Sequence, residues 1–272
     1  MQGRRQKQLQ ELRERIAALE TGPVLRGETL ARPHHAAGLL PVPVGTLSEV
    51  FTDEHRHAGA GLGFALGLAR GLLTERRPAL IFLQLTDDAQ EMGVPYGNGL
   101  AAFGIPVDRL VLARPKTITE LLWAMEEAIA CRAVGAVVAD VAGRHKALDF
   151  TASRRLSLRS AAAGTTTFLV RYARDREASA ARFRWKITPA LSGDMRFDTR
   201  APGPPRWQAV LEKGRLRPDR PATNSEEYLL DWTDDGFVPA DTRTRNGTYP
   251  SRRPALPRPQ SATLGDRLSQ TG

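Results

Sequence analysis

The apolar residues of this chain follow strand-like and helix-like spacings in turn, which predicts a mainly parallel α/β sheet. Nearly continuous apolar runs at residues 79–85 and 134–141 are typical of strands that are covered on both faces. The other predicted elements are strands at residues 46–51, 107–113 and 165–172, and helices at residues 61–73, 117–129 and 148–163. Strands that alternate with helices of this length indicate βαβ units, with helices on both faces of the sheet.

An amphipathic helix is predicted ahead of the core, within residues 1–21. Its apolar residues recur at helical spacing and form one stripe: Leu9, Leu12, Ile16 and Leu19. An isolated helix cannot bury such a stripe, so we expect it to dock on its own domain or on another protein. Periodicity alone slightly favours docking on its own domain. Residues 22–44 contain several prolines and are predicted to form an extended connector.

The core domain is predicted to span residues 45–192, and its last strand differs from the others. Phe183, Trp185 and Ile187 alternate with basic residues, which is typical of a strand with one buried and one solvated face. An edge position in the sheet is our hypothesis for this strand. Residues 193–272 are rich in proline, arginine, aspartate and glycine, and are predicted to form an extended, partly disordered tail.

Composition narrows the classes of function. The formal net charge of +9 suits contact with nucleic acid or an acidic protein, but a basic, arginine-rich proteome would explain it equally well. The single cysteine, Cys131, excludes a disulfide framework and a cysteine-based zinc site within one chain. Residues 1–15 are highly polar and lack the apolar stretch of a secretory signal, and no run in the sequence approaches about 18 apolar residues. We therefore expect a cytoplasmic protein without membrane contact.

The segment after the first strand, residues 52–64, lies where a P-loop protein has its phosphate loop. It contains Gly59, Gly61 and Gly63, but no lysine occurs between residues 52 and 115. A phosphate loop needs a lysine for the β- and γ-phosphates of its nucleotide. We therefore interpret the glycines as a degenerate phosphate loop that allows a helix to pack closely on the sheet. An anion site at the N-terminus of that helix is the alternative.

Asp140 ends an apolar strand, where an acidic residue of a P-loop ATPase orients Mg²⁺ through water. Without a phosphate loop there is no ion to orient, so we interpret Asp140 as a vestigial magnesium position. A strand-end aspartate that caps the next turn is the alternative. His55 and His57 lack the further ligands of a metal site. We therefore expect no catalytic residues, no metal site, no cofactor and no enzymatic activity.

Five basic side chains on or just before the last core strand are candidates for nucleic-acid contact: Arg171, Arg174, Arg182, Arg184 and Lys186. A row of cations could follow a phosphate backbone. A solvated edge strand that is protected by its charges would explain the same pattern equally well. Both interpretations stay open from the sequence alone.

The order of these elements resembles the RecA core, with the segments EVF, ALIFLQL, PYGNGLAAFGIPVDRLVLARP and GAVVADV and a T-x-x-E helix before the last of them. Residues 94–140 are specifically similar to the ImuA family, which are RecA-like accessory proteins of the bacterial SOS mutagenesis cassette. The segments RRLSLRSAAAGTTTFLVR and SAARFRWKITPA fit that family too. The resemblance covers about residues 20–192 and implies a RecA-like fold.

The resemblance implies a role in error-prone translesion DNA synthesis. The implied partners are an inactive Y-family polymerase homologue, ImuB, a specialised C-family DNA polymerase reached indirectly, and RecA as a further candidate. It also implies that the N-terminal stripe docks on a partner, because RecA-type proteins place a subunit-docking helix there. We expect a non-catalytic interaction protein that associates with the nucleoid on DNA damage. A RecA-like protein that binds ATP or DNA with a divergent phosphate loop is the alternative.

Overall fold

The structure is a computed structural model, and it describes residues 42–195, 198–216 and 226–240, together with residues 7, 10, 11, 14 and 40. The strands are β1 (Leu47–Thr52), β2 (Ala79–Gln84), β3 (Leu110–Ala113), β4 (Val134–Ala142), β5 (Thr166–Tyr172), β6 (Phe183–Ala190), β7 (Asp194–Met195), β8 (Asp198–Pro202), β9 (Arg206–Lys213), β10 (Glu226–Thr233) and β11 (Gly236–Pro239). The helices are α1 (Ala58–Arg70), α2 (Thr86–Met92), α3 (Gly97–Ala102), α4 (Ile118–Ala130) and α5 (Phe150–Ala163).

One nine-stranded sheet organises the described residues, in the order β11–β10–β9–β6–β1–β5–β4–β2–β3, and β7 and β8 pair separately. From β6 to β3 the neighbouring strands run parallel. The strands β9, β10 and β11 continue the sheet in antiparallel fashion. The predicted α/β class with a mainly parallel, RecA-like sheet is confirmed.

Helices cover both faces of the sheet, as predicted. On one face α1 packs Phe64 against β1, β4, β5 and β6. On the other face α4 packs Met125 against β4 and β2, and α5 packs Leu156 against β1 and β5. This double coverage explains why β2 and β4 read as continuous apolar runs. Among the described residues, no helix has the length and apolar character that crossing a bilayer requires.

The sequence pattern located the start of α4 correctly but placed the start of β3 too early. The T-x-x-E pattern is a capping box at the start of α4: the Thr117 hydroxyl accepts from the backbone N–H of Glu120 at 3.2 Å, and the Glu120 carboxylate accepts from that of Thr117 at 3.3 Å. The strand predicted at residues 107–113 is shorter. A 3₁₀ turn, Val107–Arg109, comes first, and β3 begins only at Leu110.

The sheet continues beyond residue 192, where we expected the core to end and an extended tail to begin. Strands β9 to β11 extend it from β6 and bring Trp207, Trp232 and Phe237 into the core, where they are 4%, 7% and 8% exposed. The apolar positions of the expected tail looked isolated because they are the inward-facing positions of antiparallel strands. The core therefore extends to residue 240. The same arrangement corrects the hypothesis for β6, which lies between β1 and β9 and not at the edge.

The N-terminal stripe formed by Leu9, Leu12, Ile16 and Leu19 lies outside the described residues, as do most of the connector and residues 241–272. In this segment the structure describes Lys7, Gln10, Glu11 and Glu14, which are helical and exposed. Docking through the stripe stays a prediction.

Candidate functional site

The connection from β1 to α1, where a P-loop protein binds phosphate, is short in this chain. It consists of residues 53–57 and ends in a 3₁₀ turn, His55–His57. It contains neither glycine nor lysine. Gly59, Gly61 and Gly63 all lie inside α1. They therefore do not form a loop whose backbone N–H groups could surround a phosphate.

Close packing accounts for two of these glycines. A Cβ atom added at Gly61 would lie 2.8 Å from a side-chain carbon of β1, and one at Gly63 would lie 3.2 Å from the ring of Phe103. At Gly67, further along α1, the added atom would lie 2.7 Å from an aromatic ring of β11. An atom added at Gly59 would have nothing within 4 Å. The geometry supports the packing interpretation for Gly61 and Gly63, because a larger residue at either position would have to displace the neighbouring side chain.

Carboxylates of the chain itself hold the cations at this connection. Asp53 forms ion pairs with Arg176 at 2.7 Å and with Lys186 at 2.9 Å. Partial burial would raise the pKa of Asp53, but hydrogen bonds from Lys186 and Arg176 outweigh it and hold that pKa below its usual value. Arg56, inside the connection, pairs with Glu54 at 2.5 Å. These cations are therefore already engaged by negative charges.

Asp140 lies in β4 at the carboxyl end of the parallel sheet and is 2% exposed. One carboxylate oxygen accepts a hydrogen bond from Nε2 of Gln84 at 3.0 Å, and the other accepts one from the hydroxyl of Tyr172. The ring of His55 packs edge-on against Tyr172, with 5.5 Å between ring centroids. Asp88 accepts a hydrogen bond from the backbone N–H at the end of β4 at 3.0 Å. We call these five residues the Asp140 cluster.

The surroundings of Asp140 disfavour its negative charge. Burial, and then the charge of Asp88, raise the pKa of Asp140 to about 6, although hydrogen bonds from Tyr172 and Gln84 and the charge of His55 oppose the rise. Both of its oxygens already accept hydrogen bonds from the protein, which leaves little access for a hydrated magnesium ion. No group of three or more potential metal ligands occurs among the described residues.

Three buried polar atoms in the same part of the sheet lack a hydrogen-bond partner in the described residues: Oε1 of Gln84, Oγ1 of Thr52 and Nε of Arg171. An unpaired buried polar atom reduces stability by about 1–3 kcal/mol. The Asp140 cluster is thus a buried polar network that is only partly satisfied.

Sequence reasoning found Asp140 but missed the two residues that hold it. Gln84 ends β2 and pairs in register with Asp140, while Tyr172 ends β5 and pairs with Ala142. The available signal was that carboxyl ends of parallel strands meet at one edge of a sheet, where α/β proteins place their ligands. Using it required the strand order, which the sequence does not reveal.

Three of the five predicted nucleic-acid contacts are engaged in ion pairs: Arg171 with Glu177 (3.1 Å), Arg184 with Glu49 (2.8 Å) and Lys186 with Asp53 (2.9 Å). Arg174 and Arg182 are exposed. Because β6 is an interior strand, protection of a sheet edge does not explain these charges. Contact of the five side chains with nucleic acid stays a prediction.

The paired arginines also pack around one buried ring. The guanidinium carbons of Arg171, Arg176 and Arg184 lie 5.6, 4.3 and 5.5 Å from the ring centroid of Phe51, which is 1% exposed. Cations at such distances from an aromatic face are attracted to it. Residues 173–182 connect β5 to β6 and are held over β1 by these contacts, so the three arginines have a structural role.

Sequence comparison with known proteins identifies the family of this chain. No protein-family model matches the chain. The chain is similar to Protein ImuA of Caulobacter vibrioides strain NA1000 / CB15N and to Protein ImuA of Caulobacter vibrioides strain ATCC 19089 / CIP 103742 / CB 15. The identity is 31% over 180 residues in each case, and the match covers 59% of this chain and 69% of each relative. The chain therefore belongs to the ImuA family.

Proposed function

We propose that this chain is a non-catalytic, RecA-like accessory protein of SOS-induced, error-prone translesion DNA synthesis that acts through protein–protein contacts. Membership of the ImuA family supports the link with DNA-damage mutagenesis. The observation that supports the absence of catalysis is that the protein's own side chains occupy the carboxyl end of the sheet. There the glycines that we interpreted as a degenerate phosphate loop are part of α1, and Asp140 is held by Gln84 and Tyr172.

The electrostatics of this end of the sheet support the proposal. A triphosphate needs cations and free backbone N–H groups, which a phosphate loop and its lysine provide. In this chain the connection after β1 begins with Asp53, and Arg56 is neutralised by Glu54. The Asp140 cluster adds a second carboxylate, Asp88, beside Asp140. A bound triphosphate would meet like charges at short range, which disfavours binding.

The proposed partners rest on the family resemblance. They are an inactive Y-family polymerase homologue of the ImuB type, a specialised C-family DNA polymerase reached indirectly, and RecA as a further candidate. We propose the stripe Leu9, Leu12, Ile16 and Leu19 as one partner contact, because a short amphipathic helix needs an external surface to bury its apolar side. We place the protein in the cytoplasm, at the nucleoid after DNA damage.

Co-purification in the presence and absence of nucleotide tests this proposal. The full-length chain and the ImuB-like protein of the same organism are purified separately, mixed, and separated by size-exclusion chromatography with and without Mg²⁺–ATP. We expect a complex with the same dissociation constant in both conditions, because the contacts need no nucleotide. A complex that forms only with Mg²⁺–ATP would contradict the non-catalytic part of the proposal. Failure to form in both conditions would contradict the partner.

A further inference from the structure

The solvent side of α5 exposes large apolar side chains that no other described element covers. Leu158 is 61% exposed and Phe150 is 48% exposed. The inward side of the helix is complete, since Ala152, Leu156 and Ser160 are buried in the layer beneath. The outward residues follow helical spacing, so Phe150, Arg154 and Leu158 lie along one side of the helix.

The same surface carries an excess of positive charge. Arg154 is exposed and has no ion-pair partner among the described residues, and Lys146, just before the helix, is exposed as well. Arg155 and Arg159 share a single acidic partner, Glu126 of α4. One carboxylate cannot neutralise two guanidinium groups, so this helix surface stays basic around its apolar centre.

We propose that this surface, defined by Phe150, Arg154, Leu158 and the exposed Ala161 and Ala162, is a docking site for an acidic, amphipathic segment of a partner protein. The apolar side chains would bury against the apolar side of that segment, and Arg154 would pair with its carboxylates. The inference deepens the proposed function and rests on it, because it assigns a surface to the protein–protein contacts proposed there.

Charge selects this occupant over the alternatives. A second copy of the chain would bring Arg154 and its neighbours against the same cations, which disfavours self-association through this surface. Residues 1–21 and residues 241–272 of the chain both contain more basic than acidic residues. Neither terminal segment therefore offers the negative charge that complements the surface. A separate acidic partner segment fits both its apolar and its basic character.

Two variants of the full-length chain test the docking site, with the ImuB-like protein of the same organism as the probe. We expect Leu158→Asp to weaken binding at least about 10-fold, because it places a charge at the apolar centre of the surface. We expect Arg154→Glu to weaken binding about 10-fold and to reduce its salt dependence, because it reverses the complementary charge. Affinities are measured by biolayer interferometry at low and high salt.

Matched controls separate this surface from general effects. Leu191→Asp changes a leucine that is 75% exposed and lies outside α5, and Arg76→Glu reverses another exposed arginine. Both controls should bind like the unchanged chain, and all four variants should keep its melting temperature because the positions are exposed. A photo-crosslinking residue placed at position 158 should link to the partner, whereas one at position 191 should not.

The outcomes distinguish the inference from the proposed function. If the unchanged chain binds and the Leu158→Asp and Arg154→Glu variants bind equally well, the docking site is contradicted and the proposed function stands. Crosslinking of position 158 to a second copy of the chain would contradict the proposed occupant. If the unchanged chain itself does not bind, the proposed partner is contradicted, and the inference that rests on it fails too.

Discussion

A chain that ends after Ser192 is expected not to fold. It would lack β9, β10 and β11, leave the interior strand β6 with an unpaired edge, and expose the aromatic core beside α1. Losing one buried tryptophan or phenylalanine typically costs about 3–5 kcal/mol. The deletion removes Trp207, Trp232 and Phe237 together, and their sum approaches or exceeds the total stability of about 5–15 kcal/mol that is usual for a domain. Far-UV circular dichroism and hydrogen exchange of the β6 amides measure the loss.

Single substitutions give the same test in a chain of full length. The indole N–H of Trp207 donates to the carbonyl oxygen of Ala60 in α1 at 2.9 Å, so Trp207→Ala should reduce the free energy of unfolding by about 3–5 kcal/mol. Tyr96→Ala is the control, because Tyr96 is 72% exposed, and its effect should stay within about 0.5 kcal/mol. Cooperative unfolding of the truncated chain near the full-length midpoint would show that β9 to β11 are dispensable.

Asp140→Asn should stabilise the protein at pH 7.5 by about 2–3 kcal/mol. The cause is the raised pKa of Asp140, about 6 against 3.8 for an unperturbed aspartate, with each pKa unit equivalent to about 1.4 kcal/mol. An asparagine could still accept the hydrogen bond from Tyr172. The side-chain amide of that asparagine could also donate to Oε1 of Gln84, which is unpaired now, after the Gln84 amide flips by about 180°. Chemical denaturation of both chains measures the difference.

The pH dependence identifies the cause of this gain. Well below pH 3.8 the carboxyl group is protonated in the folded and unfolded chains, so it contributes no penalty. Between pH 4 and about 6 the unfolded chain releases its proton while the folded chain retains it, so stability falls as the pH rises. Above about pH 6 the full penalty is present. The advantage of Asp140→Asn should therefore appear as the pH rises from 4 to 6 and then stay constant.

Asp108→Asn serves as the control, because Asp108 is exposed in the 3₁₀ turn before β3 and its replacement should change the stability by no more than about 0.5 kcal/mol. A variant at Asp140 that is less stable than the unchanged chain at pH 7.5 would mean that the ionised carboxylate is needed for folding. If Asp140→Asn also leaves damage-induced mutation frequency intact in cells, the carboxylate has no catalytic role.

The central parallel strands could be predicted because the apolar residues of each strand show by themselves that it is buried. Residues of β2 and β4 are covered on both faces, so almost every position is apolar. The start of α4 was equally predictable from the sequence, because the side chains of Thr117 and Glu120 accept hydrogen bonds from each other's backbone N–H groups within one turn. These features depend on neighbours within a few residues, and the sequence displays them directly.

The C-terminal strands and the Asp140 cluster depend on partners far away in the chain. Trp207 meets Phe237 and α1 only after β9 pairs with β6, so its position in the sequence looked isolated. Gln84 and Tyr172 reach Asp140 because β2 and β5 flank β4, an order that no local pattern records. Glycine spacing was ambiguous for a related reason: Gly61 packs on β1, and this contact requires the fold.

Titration calorimetry of the purified full-length chain with ATP and Mg²⁺ examines the non-catalytic account without any assumption about partners. The RecA protein of the same organism serves as the positive control under identical conditions. We expect no saturable heat of binding up to about 1 mM nucleotide, with the same result for Asp140→Asn. A dissociation constant in the micromolar range that Asp140→Asn weakens would contradict it, because Asp140 would then be a working magnesium position.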